Sequence, residues 1–334
     1  MQFHLAEASK ILFKTTPYLL LRIAIYCAIG LATAIYLALV AFIAKIFGGG
    51  GTIVFLIGLA ILWGLLRLLQ QYVLYLVKAG HIAVITELLE TGTLPANINQ
   101  FQYGKAVVTN LFKDVSLLFV VDRMVDGILR TVNGAVEAAG NILPIPGMEG
   151  LVKIVNSIVN FSLTYIDETI LSYCLSRKDE NIWESAKRGV ILYAQNWKPI
   201  LTTAAAIAAL NFVGFILLFL LLLIPCAPFA MMTHNETLKF FWLALAFVLA
   251  YGLKQSILKP LFQISILLTF RAATAHQQPN PEWEAHLGSV SDKFRELQGK
   301  AADFMRAKSQ QPQQPQQPPW QPPQPPPPPT MGQH

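Results

Sequence analysis

The chain has 334 residues, 54% of them hydrophobic and only 13% charged, with a mean hydropathy of +0.48. That balance excludes an ordinary soluble domain and points to an all-α polytopic membrane protein. The net charge of +6 is scattered between apolar stretches without a run of five like charges, which argues against a nucleic-acid partner and for the lipid bilayer.

The first span is expected from about Pro17 to Ala44. Lys10 and Lys14 precede it much as in a secretory signal, but Ile23 to Ala44 alone is 22 residues, roughly 33 Å of helix and enough to cross a ~30 Å hydrocarbon core. An uncleaved span is therefore expected. The Gly48-Gly49-Gly50-Gly51 run breaks the helix, since glycine costs ~1 kcal/mol per helical position. A second span begins near Thr52, is interrupted by Arg67, Gln70 and Gln71, and resumes through Val77. These elements make a first transmembrane hairpin, residues 1–78.

Residues 79–198 read as a cytoplasmic, interfacial region of amphipathic helices. From about Lys105 to Ala139, Val107, Leu111, Val115, Leu118, Val121, Val125, Leu129, Val132 and Val136 recur at steps of three and four, giving one helix with one apolar face. After the turn Asn141 to Gly147, a second helix from Leu151 to about Ser176 carries a polar stripe of Lys153, Asn156, Asn160, Thr164 and Asp167. The stripe is either the water-facing side of an interfacial helix or, if the pair re-enters the membrane, a polar path. A third helix starts at Asn181, a capping residue with Glu184 three positions on. It ends at Trp197-Lys198-Pro199, an entry into the next span.

The second hairpin, residues 199–271, has a third span from Pro199 to Leu223, expected to close at Pro225 and Pro228. The fourth runs from near Leu238 to Phe270, with a kink or break expected at Pro260 because proline removes a donor and clashes with the preceding turn. Its second half carries Lys254, Gln255 and Lys259, as Arg67, Gln70 and Gln71 mark the second span. A duplicated two-span unit would explain the likeness, and so would two unrelated hairpins under the same snorkelling physics. The two short loops hold only Lys45 and Lys239, whereas Lys78 to Lys198 holds eleven Lys or Arg. By the positive-inside rule both termini are cytoplasmic, as in a bacterial inner-membrane protein.

Residues 272–308 predict a soluble amphipathic helix opened by Asn280-Pro281. Its seam of Trp283, Leu287, Val290, Phe294, Leu297, Ala301 and Phe304 has the coiled-coil repeat and invites docking through residues 281–308 on a second copy, a cytoplasmic partner, the cytoplasmic helices of this chain or the bilayer surface. Residues 309–334 have the Pro/Gln-rich composition of a disordered, extended tail.

Arg22, Arg67, Lys254 and Lys259 are the basic residues within the spans, the first three at one depth by residue count. They form a candidate anion or headgroup site, set against separate snorkelling of each to the interface. The histidines never pair at metal-ligand spacing, Cys27, Cys174 and Cys226 show no zinc or disulfide pattern, and no catalytic motif or cofactor fingerprint is present. The function expected is that of a non-enzymatic small transporter or channel-like protein. The rivals are a scaffold or assembly factor working through its C-terminal helix and tail, and a membrane-embedded lipid enzyme.

Overall fold

A computed structural model describes residues 4–112, 115–140, 163, 165–177 and 181–310. Among the described residues the chain is helical, with no strand. Lys153, Asn156, Asn160, Thr164, the turn Asn141 to Gly147 and residues 311–334 of the tail lie outside them. Among the described residues four helices are long and apolar enough to cross a membrane: Thr16–Ile46, Gly48–Thr91, Trp197–Met232 and Phe241–Thr274. The described chain divides into two compact units, one built from His4–Lys78 with Ala206–Ser265 and the other from Ala79–Ala205 with the residues from Ile266 on.

In the first unit, α1 (Leu5–Lys14) is followed by α2 (Thr16–Ile46). A short 3-10 turn over Gly48–Gly50, with Gly48 at φ +53°, leads into α3 (Gly51–Leu69). That positive φ is a place where glycine costs little and a side chain would strain. A π-helical segment, Gln70–Leu74, then joins α3 to α4 (Tyr75–Thr91), which Gly92 terminates at φ +78°. Large apolar side chains along α2 and α3, such as Leu31, Leu39, Ile57 and Trp63, are exposed. From Ala79 to Leu88 in α4, by contrast, every residue is buried. Glycines let the exposed-faced helices approach closely: a Cβ on Gly30 would meet Val248 Cγ1 at 2.7 Å, one on Gly252 would meet Tyr26 Cβ at 3.3 Å, and Gly58 lies against Val40. Small residues at helix contacts serve this purpose where no hydrophobic force drives association.

The helix α9 (Trp197–Met232) does not end at Pro225 and Pro228 as expected, but holds both prolines inside it. In apolar surroundings a broken helix would leave still more backbone groups without partners than the two missing donors do, so the helix continues. After it come α10 (Glu236–Leu253), a second π-helical segment over Lys254–Leu258, and α11 (Lys259–Thr274). The distortion expected at Pro260 is thus a widened turn just before the proline and not a break.

The second unit contains α5 (Gln100–Phe112), α6 (Val115–Gly140), a helix over residues 165–176 (α7) and α8 (Ile182–Gln195). Asn181 caps α8 by accepting from Trp183 N at 3.1 Å, while Glu184 turns to Lys187 and Arg188 rather than completing a capping box. The interior of this unit is apolar but threaded with polar groups. Tyr103 donates to Glu87 Oε2 at 2.6 Å, and Thr86 and Ser172 share a hydrogen bond of 2.6 Å. Burial pushes the Tyr103 hydroxyl well above its usual range, and the Glu87 carboxyl that takes its hydrogen bond adds to the effect.

The single C-terminal helix expected from the seam is two helices, α12 (Pro281–Val290) and α13 (Asp292–Gln310). Ser291 adopts an extended conformation and its hydroxyl accepts from Phe294 N at 3.3 Å, a cap that restarts the helix. Leu287, Phe294, Leu297 and Ala301 are buried where α12 and α13 pack on α6 and α8, whereas Val290 and Phe304 are exposed. Of the covers open to the strip, this chain's own helices α6 and α8 take Leu287, Phe294, Leu297 and Ala301.

Candidate functional site

Within the unit of the candidate spans, α2, α3, α10 and both π segments border a partly open cavity of about 320 Å³. Tyr26, Ile29, Gly30 and Thr33 face it from α2 at steps of three and four, the spacing of one helical face. Leu66, Leu69, Gln70 and Leu74 come from α3 and its π segment, and Phe247, Val248, Tyr251, Gly252 and Gln255 from α10 and the other. The wall is largely apolar with a few hydroxyl and amide groups, the make-up of a small-ligand site. No Lys, Arg, Asp or Glu is among the lining residues.

Hydrogen bonds fix one side of the cavity. Gln255 Nε2 donates to the Tyr251 hydroxyl at 3.0 Å, and Ser256 Oγ donates to Gly252 O at 2.7 Å. A π turn shifts backbone pairing from i−4 to i−5, which frees a carbonyl for an outside donor. The buried Arg22 supplies that donor, with Nη2 2.9 Å from Gln255 O.

Comparison with protein families, with curated proteins and with solved structures finds no match. The functional reading therefore stands on geometry and chemistry.

The four basic residues singled out in the spans do not line this cavity. Arg22 is committed to the second π segment, the Arg67 guanidinium lies 5.3 Å from the Trp63 ring centre, and Lys254 Nζ lies 5.4 Å from that of Phe215 and 5.7 Å from that of Tyr251. Lys259 occupies the first turn of α11. Of the polar stripe only Asp167 is described, and its Oδ1 accepts from Glu168 N at 2.7 Å. Among the described residues no group of three His, Cys, Asp or Glu could hold a metal. Tyr26, Thr33 and Tyr251, which the sequence reading passed over, are cavity residues. The available signal was a glycine within one turn of each aromatic hydroxyl, at Gly30 and Gly252.

The element order repeats. An amphipathic helix leads to one non-helical residue, then a long apolar helix, a short connection, and a helix interrupted by five π-helical residues. In the first pass the turn is Thr15, at φ −98° and ψ 21°, and in the second it is Asn196, at φ −115° and ψ 24°. Each donates its N–H to the carbonyls three and four residues back. The helices before the π segments have 19 and 18 residues, and those after them 17 and 16. Both π segments border the one cavity.

Proposed function

We propose that this chain is a multi-pass membrane transporter or channel-like protein, built from two copies of a two-span unit, that takes a small uncharged solute into the cavity between them. The observation that carries the reading is the cavity itself, walled by the π segments of both repeats. Wide turns of this type cluster at functional sites, and repeat-built transporters hold substrate at the repeat interface. The absence of a charged side chain among the lining residues favours a neutral solute with hydroxyl or amide groups, which Tyr26, Thr33, Gln70 and Gln255 would meet.

The topology belongs to the same proposal: two spanning hairpins, both termini cytoplasmic in a bacterial inner membrane, and residues 79–198 on the cytoplasmic side as an interfacial helical region. The basic residues support it by their distribution. Reporters fused after His276 are expected to read cytoplasmic, and reporters in Gly48 to Gly51 or near His234 external. A reporter at Pro144 reading external would overturn this arrangement.

The transport reading is tested in proteoliposomes by stopped-flow swelling against glycerol, urea and short sugar alcohols. Wild type is expected to admit at least one of them faster than protein-free vesicles, and Thr33→Phe, which fills the cavity, to abolish the difference. Rates equal to those of empty vesicles for every solute would reject it. A scaffold acting through residues 281–308 stands second, because Leu287, Phe294 and Leu297 would first have to leave α6 and α8.

A further inference from the structure

The unit built from Ala79–Ala205 and the residues from Ile266 on has a separate open cavity of about 540 Å³, at the last turns of α4, α7 and α11. We infer that it is a binding site for a phosphate-bearing ligand, with Arg177 and Arg271 as the anion-binding residues and Glu90 as a competing carboxylate that holds Arg271 until the ligand arrives.

Arg271, in α11, and Arg177, just past α7, both line this cavity. Arg271 Nη1 donates to Glu90 Oε1 at 2.5 Å, but its Nη2 reaches Leu89 O only at 3.5 Å, so half of the fork is weakly engaged. Arg177, just past α7, lies 5.3 Å from the Tyr173 ring centre and is exposed. Stacking fixes the plane of such a guanidinium while leaving its N–H edge available. The hydroxyls of Ser176 and Thr274 donate to Tyr173 O and Phe270 O, at 2.8 and 2.9 Å, so among the described lining residues the arginines are the donors open to a ligand. Arginine forks arriving from two sides suit a tetrahedral oxyanion with three acceptor oxygens, whereas a planar carboxylate is satisfied by one fork. Tyr173 and Phe270, edge to face at 6.0 Å, give an apolar floor for the organic part. A cation at a helix C-terminus also answers the macrodipole, and that accounts for the arginines but not for an open cavity of this size beside them.

The phosphate could belong to a free phosphate ester or to an anionic lipid headgroup, and the experiment separates them. Full-length protein in neutral phosphatidylcholine nanodiscs is titrated with glycerol 3-phosphate by calorimetry, and in parallel nanodiscs containing phosphatidic acid are scored for retained lipid by native mass spectrometry. Wild type is expected to bind one of the two probes. Arg177→Gln, which leaves the Arg271–Glu90 pair in place, should weaken that binding about tenfold, as for loss of one charged hydrogen bond. Glu90→Gln should strengthen it several-fold, an effect that damage to the fold would not produce. Binding of glycerol 3-phosphate identifies a soluble ester, and retention of phosphatidic acid alone identifies a lipid. Failure of both probes, or equal binding in wild type, Arg177→Gln and Glu90→Gln, would overturn the assignment.

Discussion

The helix interrupted by Gln70–Leu74 and the helix interrupted by Lys254–Leu258 differ in one telling respect: only the second has a proline just beyond its wide turn, at Pro260. Proline removes the N–H that would bond the carbonyl four residues earlier, so the second π segment alone could be explained as the local consequence of one residue. The first cannot, because Leu76 stands at the matching place and keeps its N–H. What the two share is the cavity they border. The residues around the two turns differ. Arg22 bonds the backbone of the second π segment, and seventeen residues after the start of each segment the first repeat has Glu87 and the second Arg271.

The largest effect is expected from removing the extra residue. Deleting Val73, or deleting Ile257, should let its π segment close into ordinary helix while the downstream register is kept. Either deletion alone should then abolish solute flux in proteoliposomes with little change in thermal stability in detergent. If a deletion instead unfolds the protein, the downstream helix has rotated by about 100° per residue, and the segment was not a local insertion. If only one of the two deletions abolishes flux, the repeats are not functionally equivalent.

Next in size is a change at the residue of α5 that holds Glu87, near the end of α4. Tyr103→Phe removes the hydroxyl that donates to the buried Glu87 carboxyl and is expected to cost about 2–3 kcal/mol. It also has a pH signature. The folded state raises the tyrosine above its ordinary value of 10.0, so it holds the proton more tightly than the unfolded chain does. The resulting stability is complete below about pH 10 and lost as pH rises toward the folded-state value. Wild type should therefore lose stability in that alkaline window, and Tyr103→Phe should lack this component. Parallel alkaline melting curves for the two proteins would show that the pair contributes nothing.

Arg22→Met acts on the second π segment. It leaves Gln255 O without its donor but also removes a buried charge, so the net cost is smaller, about 1–2 kcal/mol. Flux should fall with it, because the second π segment loses its brace. Unchanged flux would separate the hydrogen bond from the cavity.

The four apolar helices were legible because length and hydropathy are set locally, and the caps at Asn181 and Asn280 because a side chain there satisfies its own helix. What the sequence concealed depends on partners. Arg22 reads as a snorkelling cation until its partner, more than two hundred residues away, is in place. The strip at Leu287, Phe294 and Leu297 was visible as a seam, but its occupant was not, since α6, α8 and a second copy present equally apolar faces to a periodicity argument. Pro225 and Pro228 misled because proline rules drawn from water-exposed helices overstate breakage where no solvent can satisfy the freed groups. The π segments have no composition signal of their own. Only the recurrence of glutamine after an apolar run, at Gln71 and Gln255, marks both.

The smallest expected effect sharpens the comparison most. Pro260→Ala restores the N–H that the first repeat already has at Leu76, and the wide turn at Lys254–Leu258 should survive it, held by Arg22 on Gln255 O and by the fit of Leu258 against Gly214. Stability should change by less than about 0.5 kcal/mol and solute flux should match wild type, since no contact is removed and alanine suits a helix. The check is paired melting and flux measurement beside the Ile257 deletion. If Pro260→Ala loses flux as fully as the deletion does, the proline alone holds the second wide turn, and its resemblance to the first is a coincidence of helix distortion and not the trace of a repeated unit.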